Sequence, residues 1–306
     1  MKKVKIFLMK MFIFILLFLL ISLIIESFFD DYPKLTELQE SLNNGTDIIY
    51  FGDSVIKYVD KDDVDKRSMG DMLKDSSNMD VKIITHPAYH LNVYDAFSEY
   101  ICKSALKPNT VILPINLRSF SQEWDSRPMY QFEEEIKTIK HKGSIFQRLW
   151  VRFYKLFEEN VERTRKKETT WENMTVDYNG TPVGKVKDFN YDLMGDGPDL
   201  DIKIKERYIY QYLYSLTPTH WKIISLGELI KNYKKCDITV VIYITPIDYQ
   251  EGVKYVGTDF VEIIEQNKKI ILDVGKKNNL DILDLSFDLD SQNFSHGLIP
   301  NEHLNQ

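Results

Sequence analysis

The hydrophobic positions of this chain fall into three patterns, and the first is a continuous block at the N-terminus. Between Ile6 and Phe29 the only charges are Lys10 and Glu26, and Met11–Ile25 carries none. That length is enough to cross a bilayer, and a lysine as close to the end as Lys10 can snorkel to the interface. Met1–Lys10 holds four lysines, so the positive flank predicts a cytoplasmic start, with everything after about residue 30 on the outside. A cleaved signal peptide shares the basic start and apolar centre. No small-x-small site precedes Glu26–Phe29, which favours an uncleaved signal-anchor.

The second pattern is a set of short, fully apolar or β-branched runs. Ile48–Phe51 lies within Asp47–Val55 (DIIYFGDSV), and Val81–Thr85, Thr110–Ile115 and Asp237–Thr245 read as further strands, with Leu280–Leu285 a short last one. The third is helical spacing. Val93, Phe97, Tyr100, Ile101 and Ala105 share a face of a helix over Val93–Leu106, and Phe260, Ile263, Ile264, Asn267, Ile271 and Val274 share one over Thr258–Lys276. Met69–Leu73 suits a helix lying across the sheet. Leu35, Leu38 and Leu42 make Asp31–Asn44 a short amphipathic stalk, ended by Asn43-Asn44-Gly45.

Strand, helix and strand at these lengths predict a parallel sheet of about five strands in a three-layer α/β/α sandwich. The domain spans 46–306, after a basic flank and transmembrane anchor at 1–30 and a stalk at 31–45. An insertion of helices and loops occupies about 128–215. Within it, Pro128–Lys167 is charged and helical, with Ile136, Ile139, Leu149, Phe153 and Leu156 as core candidates. Glycine-bearing Trp171–Pro198 reads as a long excursion outside any sheet, either a flap or a plain connection. Lys203–Tyr233 is helical again.

Composition narrows the classes. A net charge of −7 with 28% charged and 43% hydrophobic residues suits a globular domain and argues against a nucleic-acid partner. Cys102 and Cys236 are the only cysteines. With no CxxC spacing and no disulfide framework they read as buried free thiols, and no metal or other cofactor is expected. Asn44, Asn173 and Asn293 each open a glycosylation sequon, a motif too short to carry weight.

The chemistry starts at Ser54, two residues beyond the Gly52 that stops the first strand. Ligands bind at the carboxyl ends of parallel strands, so a serine there can serve as a nucleophile on a rigid element, although a strand ending in Gly-Asp-Ser is also an ordinary turn. FGDS resembles the first block of the SGNH (GDSL-like) hydrolase superfamily, whose serine attacks an ester. Asn116, which follows TVILPI, resembles the family's oxyanion-binding asparagine, but Pro114-Ile115-Asn116-Leu117 lacks the neighbouring glycine and aspartate. The family's other oxyanion block falls in His86–His90, which holds no glycine, so Tyr89 or His90 would have to donate its N–H. His303, in PNEHLN, resembles the family's catalytic base, with His296 a distant alternative. The usual aspartate three residues earlier is replaced by Pro300, leaving the orienting acid open between Glu302 and Asp290.

INLRSFSQEW is similar to a run in membrane-anchored bacterial SGNH proteins associated with cell-surface polysaccharides. There Arg118 would either grip an anionic substrate group or pair with a neighbouring acid. The resemblance implies an extracytoplasmic serine esterase or O-acyltransferase acting on acyl groups of a cell-envelope glycan. Its partners would be that polysaccharide or an acyl donor, the membrane and a membrane acyltransferase. Missing blocks and an end three residues past His303 point instead to a non-catalytic glycan-binding or assembly subunit, and a purely structural tethered domain is the remaining alternative.

Overall fold

The computed structural model describes residues 2–28, 32–59, 63–140, 167–178, 181–189, 200–295 and 302–304. The sequence-based expectations for Leu149, Phe153, Leu156, His296 and Pro300 lie outside these residues.

Helix α1 (Lys2–Phe28) contains Val4–Ile21, whose mean hydropathy of 2.7 and length make it able to cross a membrane; none of that window is buried. Helix α2 (Pro33–Asn43) follows. Its leucines are not those of a free stalk: Leu35, Leu38 and Leu42 are at most 2% exposed and belong to the main core. A stalk in water would leave that stripe solvated, and burial of each such side chain is worth about 2 kcal/mol.

Strands β1 (Ile48–Gly52), β2 (Val81–Thr85) and β3 (Thr110–Ile115) are joined through α3 (Ser54–Lys57), α4 (Met69–Ser77) and α5 (Leu91–Lys103). After β3 come α6 (Gln122–Ser126) and α7 (Glu133–Lys140), then a hairpin of β4 (Thr175–Tyr178) and β5 (Thr181–Lys185). Helices α8 (Leu200–Tyr212) and α9 (Trp221–Lys235) lead into β6 (Thr239–Ile244), and α10 (Tyr249–Val256) and α11 (Thr258–Lys277) into β7 (Leu283–Asp284).

The five-stranded sheet runs β2-β1-β3-β6-β7, and every neighbouring pair is parallel. Alternation along β1 divides its side chains between two apolar clusters. Ile49 and Phe51 enter the large one shared with α2, α5, α9 and α11, and Ile48 and Tyr50 enter a smaller one with Ile56, Met69 and Leu73. Both faces are therefore apolar, as the unbroken run in the sequence requires. From β1 the chain passes to β2 on one side and returns to β3 on the other. The strand order thus reverses between β1 and β3, where open α/β sheets form their ligand crevice.

Three further expectations are corrected. Cys102 and Cys236 are joined in a disulfide with Cα atoms 5.5 Å apart, linking the end of α5 to the cap of α9. The pairing spans 134 positions and leaves no local trace in the sequence. Trp171–Pro198 is not free of sheet, because β4 and β5 form an antiparallel pair whose Val176 packs with Trp171, Val186 and Tyr210. Lys203–Tyr233 is two helices, separated by Leu213–His220 with Pro218 inside, a residue unable to donate to a helical ladder.

Candidate active site

At the end of β1 the backbone turns sharply. A Cβ added at Gly52 would come within 2.5 Å of Ile56 Cγ1, so only glycine lets α3 fold back this closely. Asp53 caps α3: its Oδ1 accepts the Val55 N–H at 2.9 Å. Ser54, partly buried, is the first residue of that helix.

Asn116 leaves β3, the neighbouring strand, at the same edge. Its Oδ1 accepts the Arg118 N–H at 2.9 Å and starts the 3-10 turn Leu117–Phe120. The rest of its amide is committed to two carboxylates: Nδ2 donates to Asp53 Oδ2 at 3.1 Å and to Glu302 Oε2 at 2.6 Å. The turn is pinned from outside by Lys222, which donates to the Ser119 carbonyl and pairs with Asp125 at 2.7 Å, and by Tyr214, which donates to the Leu117 carbonyl at 2.5 Å.

Glu302 is fully buried. Besides Asn116 it receives Arg118 Nη2 at 2.9 Å and the Tyr212 hydroxyl. Of the two roles weighed for Arg118, the structure has it pairing with an acid, and its guanidinium lies 4.9 Å over the Trp124 ring. Glu302 works here as a strut joining the C-terminal segment to β3 and α8. The other acid candidate, Asp290, is exposed and accepts from Gln250 Nε2 at 2.9 Å.

His303 is held by its own backbone. Its carbonyl accepts the Ser295 N–H at 2.8 Å, and the adjacent Leu304 bridges Phe294. The imidazole packs on Tyr58, with centroids 4.5 Å apart, and the Tyr58 N–H donates to the Ser54 carbonyl at 2.8 Å. The last described residues of the chain therefore reach the helix that opens with Ser54. Burial, and then the Arg118 charge, depress the His303 pKa to about 4, so the ring is neutral near pH 7. Burial and the Glu302 charge push Asp53 the other way, to about 6, against its bonds to Val55 and Asn116 and the attraction of Arg118.

The His86–His90 loop abuts the same strand end, its His86 N–H donating to the Gly52 carbonyl at 3.3 Å. Ala88 sits at φ +64°, so the loop uses a backbone conformation that favours glycine although it contains none. Tyr89 directs its N–H to the His86 carbonyl at 3.2 Å, leaving His90 as the candidate donor of the two. His90 is the N-cap residue of α5, and its Nε2 lies 2.8 Å from the Tyr130 carbonyl. Burial, reinforced by the Lys222 charge, lowers its pKa to about 3.

Sequence reasoning missed Asp53 as a buried partner of Asn116, and Tyr212 and Tyr58 altogether. Asp53 was visible inside FGDS, but the tyrosines carry no signal among the eighteen in the chain. Compared with known proteins, the chain matches no family model and no curated protein.

Proposed function

We propose that this domain is an extracytoplasmic serine esterase or O-acyltransferase acting on acyl groups of a cell-envelope glycan. The observation that carries the proposal is that segments from three distant parts of the chain are bonded together at the rim where the strand order reverses: Asn116 holds Asp53, next to Ser54, and Glu302, while His303 packs on Tyr58, whose N–H meets the Ser54 carbonyl. Ser54 Oγ would attack the acyl carbonyl while His303 takes its proton, and the same imidazole would return the proton to the leaving oxygen. The resulting acyl-enzyme would pass its acyl group to water in a hydrolase or to a sugar hydroxyl in a transferase. The Ser54 and His90 N–H groups would receive the oxyanion. Asn116 would join them by releasing Asp53, the longer of its two bonds.

The SGNH resemblance supplies the substrate class, the three-layer arrangement and a membrane acyltransferase as a partner. The disulfide supports an oxidising compartment outside the cytoplasm, and the length and hydropathy of α1 support a single membrane anchor. The test is a fluorophosphonate probe with an aryl acetate substrate. Wild-type protein should label at Ser54 and hydrolyse the ester, and Ser54→Ala should lose both by orders of magnitude. Equal rates would remove the esterase reading.

A second reading, a glycan-binding or assembly subunit without catalysis, is favoured by one observation. Both amide hydrogens of Asn116 already serve protein carboxylates. Glycan binding with no Ser54 labelling would select it.

A further inference from the structure

The route from α1 to the candidate site is short. Three residues, 29–31, separate Phe28 at the end of α1 from Tyr32, and four peptide steps span at most about 14 Å. Helix α2 then runs for eleven residues, about 16 Å. The chain turns, and β1 covers about the same distance in the opposite sense. Tyr32 is consequently back at the edge where β1 ends.

Side-chain contacts agree. The Tyr32 hydroxyl lies 2.7 Å from the Tyr89 hydroxyl, which also donates to Glu135 on α7. Tyr89 belongs to the loop whose His86 N–H meets the Gly52 carbonyl, two residues before Ser54. A continuous line of contacts thus joins the first residue after the tether to the strand end bearing the serine. With its leucines in the core, α2 is not a lever that can swing the domain away.

We propose that this tether holds the Ser54 rim against the outer membrane surface, and that the acyl ester or hydroxyl it serves is carried on a lipid-anchored molecule. The proposal rests on reading α1 as a membrane anchor and the rim as an acyl site. A freely diffusing polymer would be better met by a rim facing away from the bilayer. The opposite edge, where Asn109 and Asp47 meet ahead of β3 and β1, would then point outward.

Two measurements on the full chain in phosphatidylcholine nanodiscs test this. In the first, a fluorophore is attached at Val64→Cys, on the loop following α3, or at Lys107→Cys, on the opposite edge; both positions are exposed. Nitroxide-bearing phosphatidylcholine should quench the Val64 label several-fold more strongly than the Lys107 label, and equal or reversed quenching overturns the orientation. In the second, a lipid-tailed fluorophosphonate embedded in the disc is compared with a water-soluble one. The embedded probe should label Ser54 in the wild type. It should lose several-fold in rate when a long Gly/Ser segment is inserted between Phe28 and Tyr32, with soluble-probe labelling unchanged.

Labelling by the soluble probe alone, or embedded-probe labelling indifferent to the insertion, overturns the lipid-anchored substrate and leaves the esterase standing. Labelling by neither probe removes the esterase and the acyl substrate together, whatever orientation the quenching pair reports.

Discussion

Asn116 and Glu302, 186 positions apart in the chain, meet through a 2.6 Å hydrogen bond at the rim of the sheet. The same amide nitrogen holds Asp53 at 3.1 Å, so one side chain separates two buried carboxylates that would otherwise repel. Removing it leaves both acceptors without their shared donor. Asn116→Ala should lower stability by about 3 kcal/mol, read as a fall in the urea midpoint at unchanged m-value. A change under about 0.5 kcal/mol would mean the bonds do not form.

Arg118 supplies the positive charge facing Glu302. Truncating one partner of a buried ion pair strands the other. Arg118→Met should therefore cost about 3–5 kcal/mol, and the double variant Arg118→Met, Glu302→Gln should recover part of that loss. A double variant no more stable than Arg118→Met alone would deny the coupling.

Asp53 and the histidines His303 and His90 pull pH dependence in opposite directions. Asp53 titrates near 6 when folded, above its ordinary value, so the native state holds the extra proton and this contribution falls as pH rises from about 4 to 6. His303 and His90 titrate near 4 and 3, below their ordinary 6.5, so the unfolded state holds more protons and their contribution rises up to about pH 6.5. Asp53→Asn removes only the falling contribution. Its Tm should climb more steeply than that of the wild type between pH 4 and 6.5, and parallel curves would refute the assignment.

If His303 is the base, it becomes competent once deprotonated. The acid limb of kcat/KM for an aryl acetate should then turn near pH 4 instead of near 6.5. A limb at the ordinary histidine value would place the base in a solvated setting unlike this one.

The disulfide closes a 134-residue separation between α5 and α9. Replacing both Cys102 and Cys236 by serine should cost about 2–5 kcal/mol, seen as a lower Tm. A reductant should shift wild-type protein the same way and leave the double variant unmoved.

The strands of the sheet were legible because a parallel strand buried on both faces must be apolar throughout, as Ile48–Phe51 is. The rim was partly legible for the same reason, since Ser54 and Asn116 each follow directly from such a run. What escaped depends on partners far apart in sequence. Nothing near Cys102 announces Cys236, and nothing near Glu302 announces Asn116, Arg118 and Tyr212. The β4–β5 hairpin was missed because its short, polar strands lack the apolar alternation that marks a half-buried sheet. Leu35, Leu38 and Leu42 were recognised as one stripe, but periodicity does not say what the stripe packs against.

Glu302 and His303 follow β7 in the chain yet are tied to residues made well before it: Asn116, Arg118 and Tyr212 hold the carboxylate, and Tyr58 packs on the imidazole. A ribosome or export channel that has delivered everything up to β7 has released a sheet whose Arg118 has not yet met Glu302 and whose Tyr58 has not yet met His303. The arrangement makes arrival of the distal segment a condition for completing the rim, so a chain terminated at β7 would lack the bonds that join Glu302 to β3 and α8.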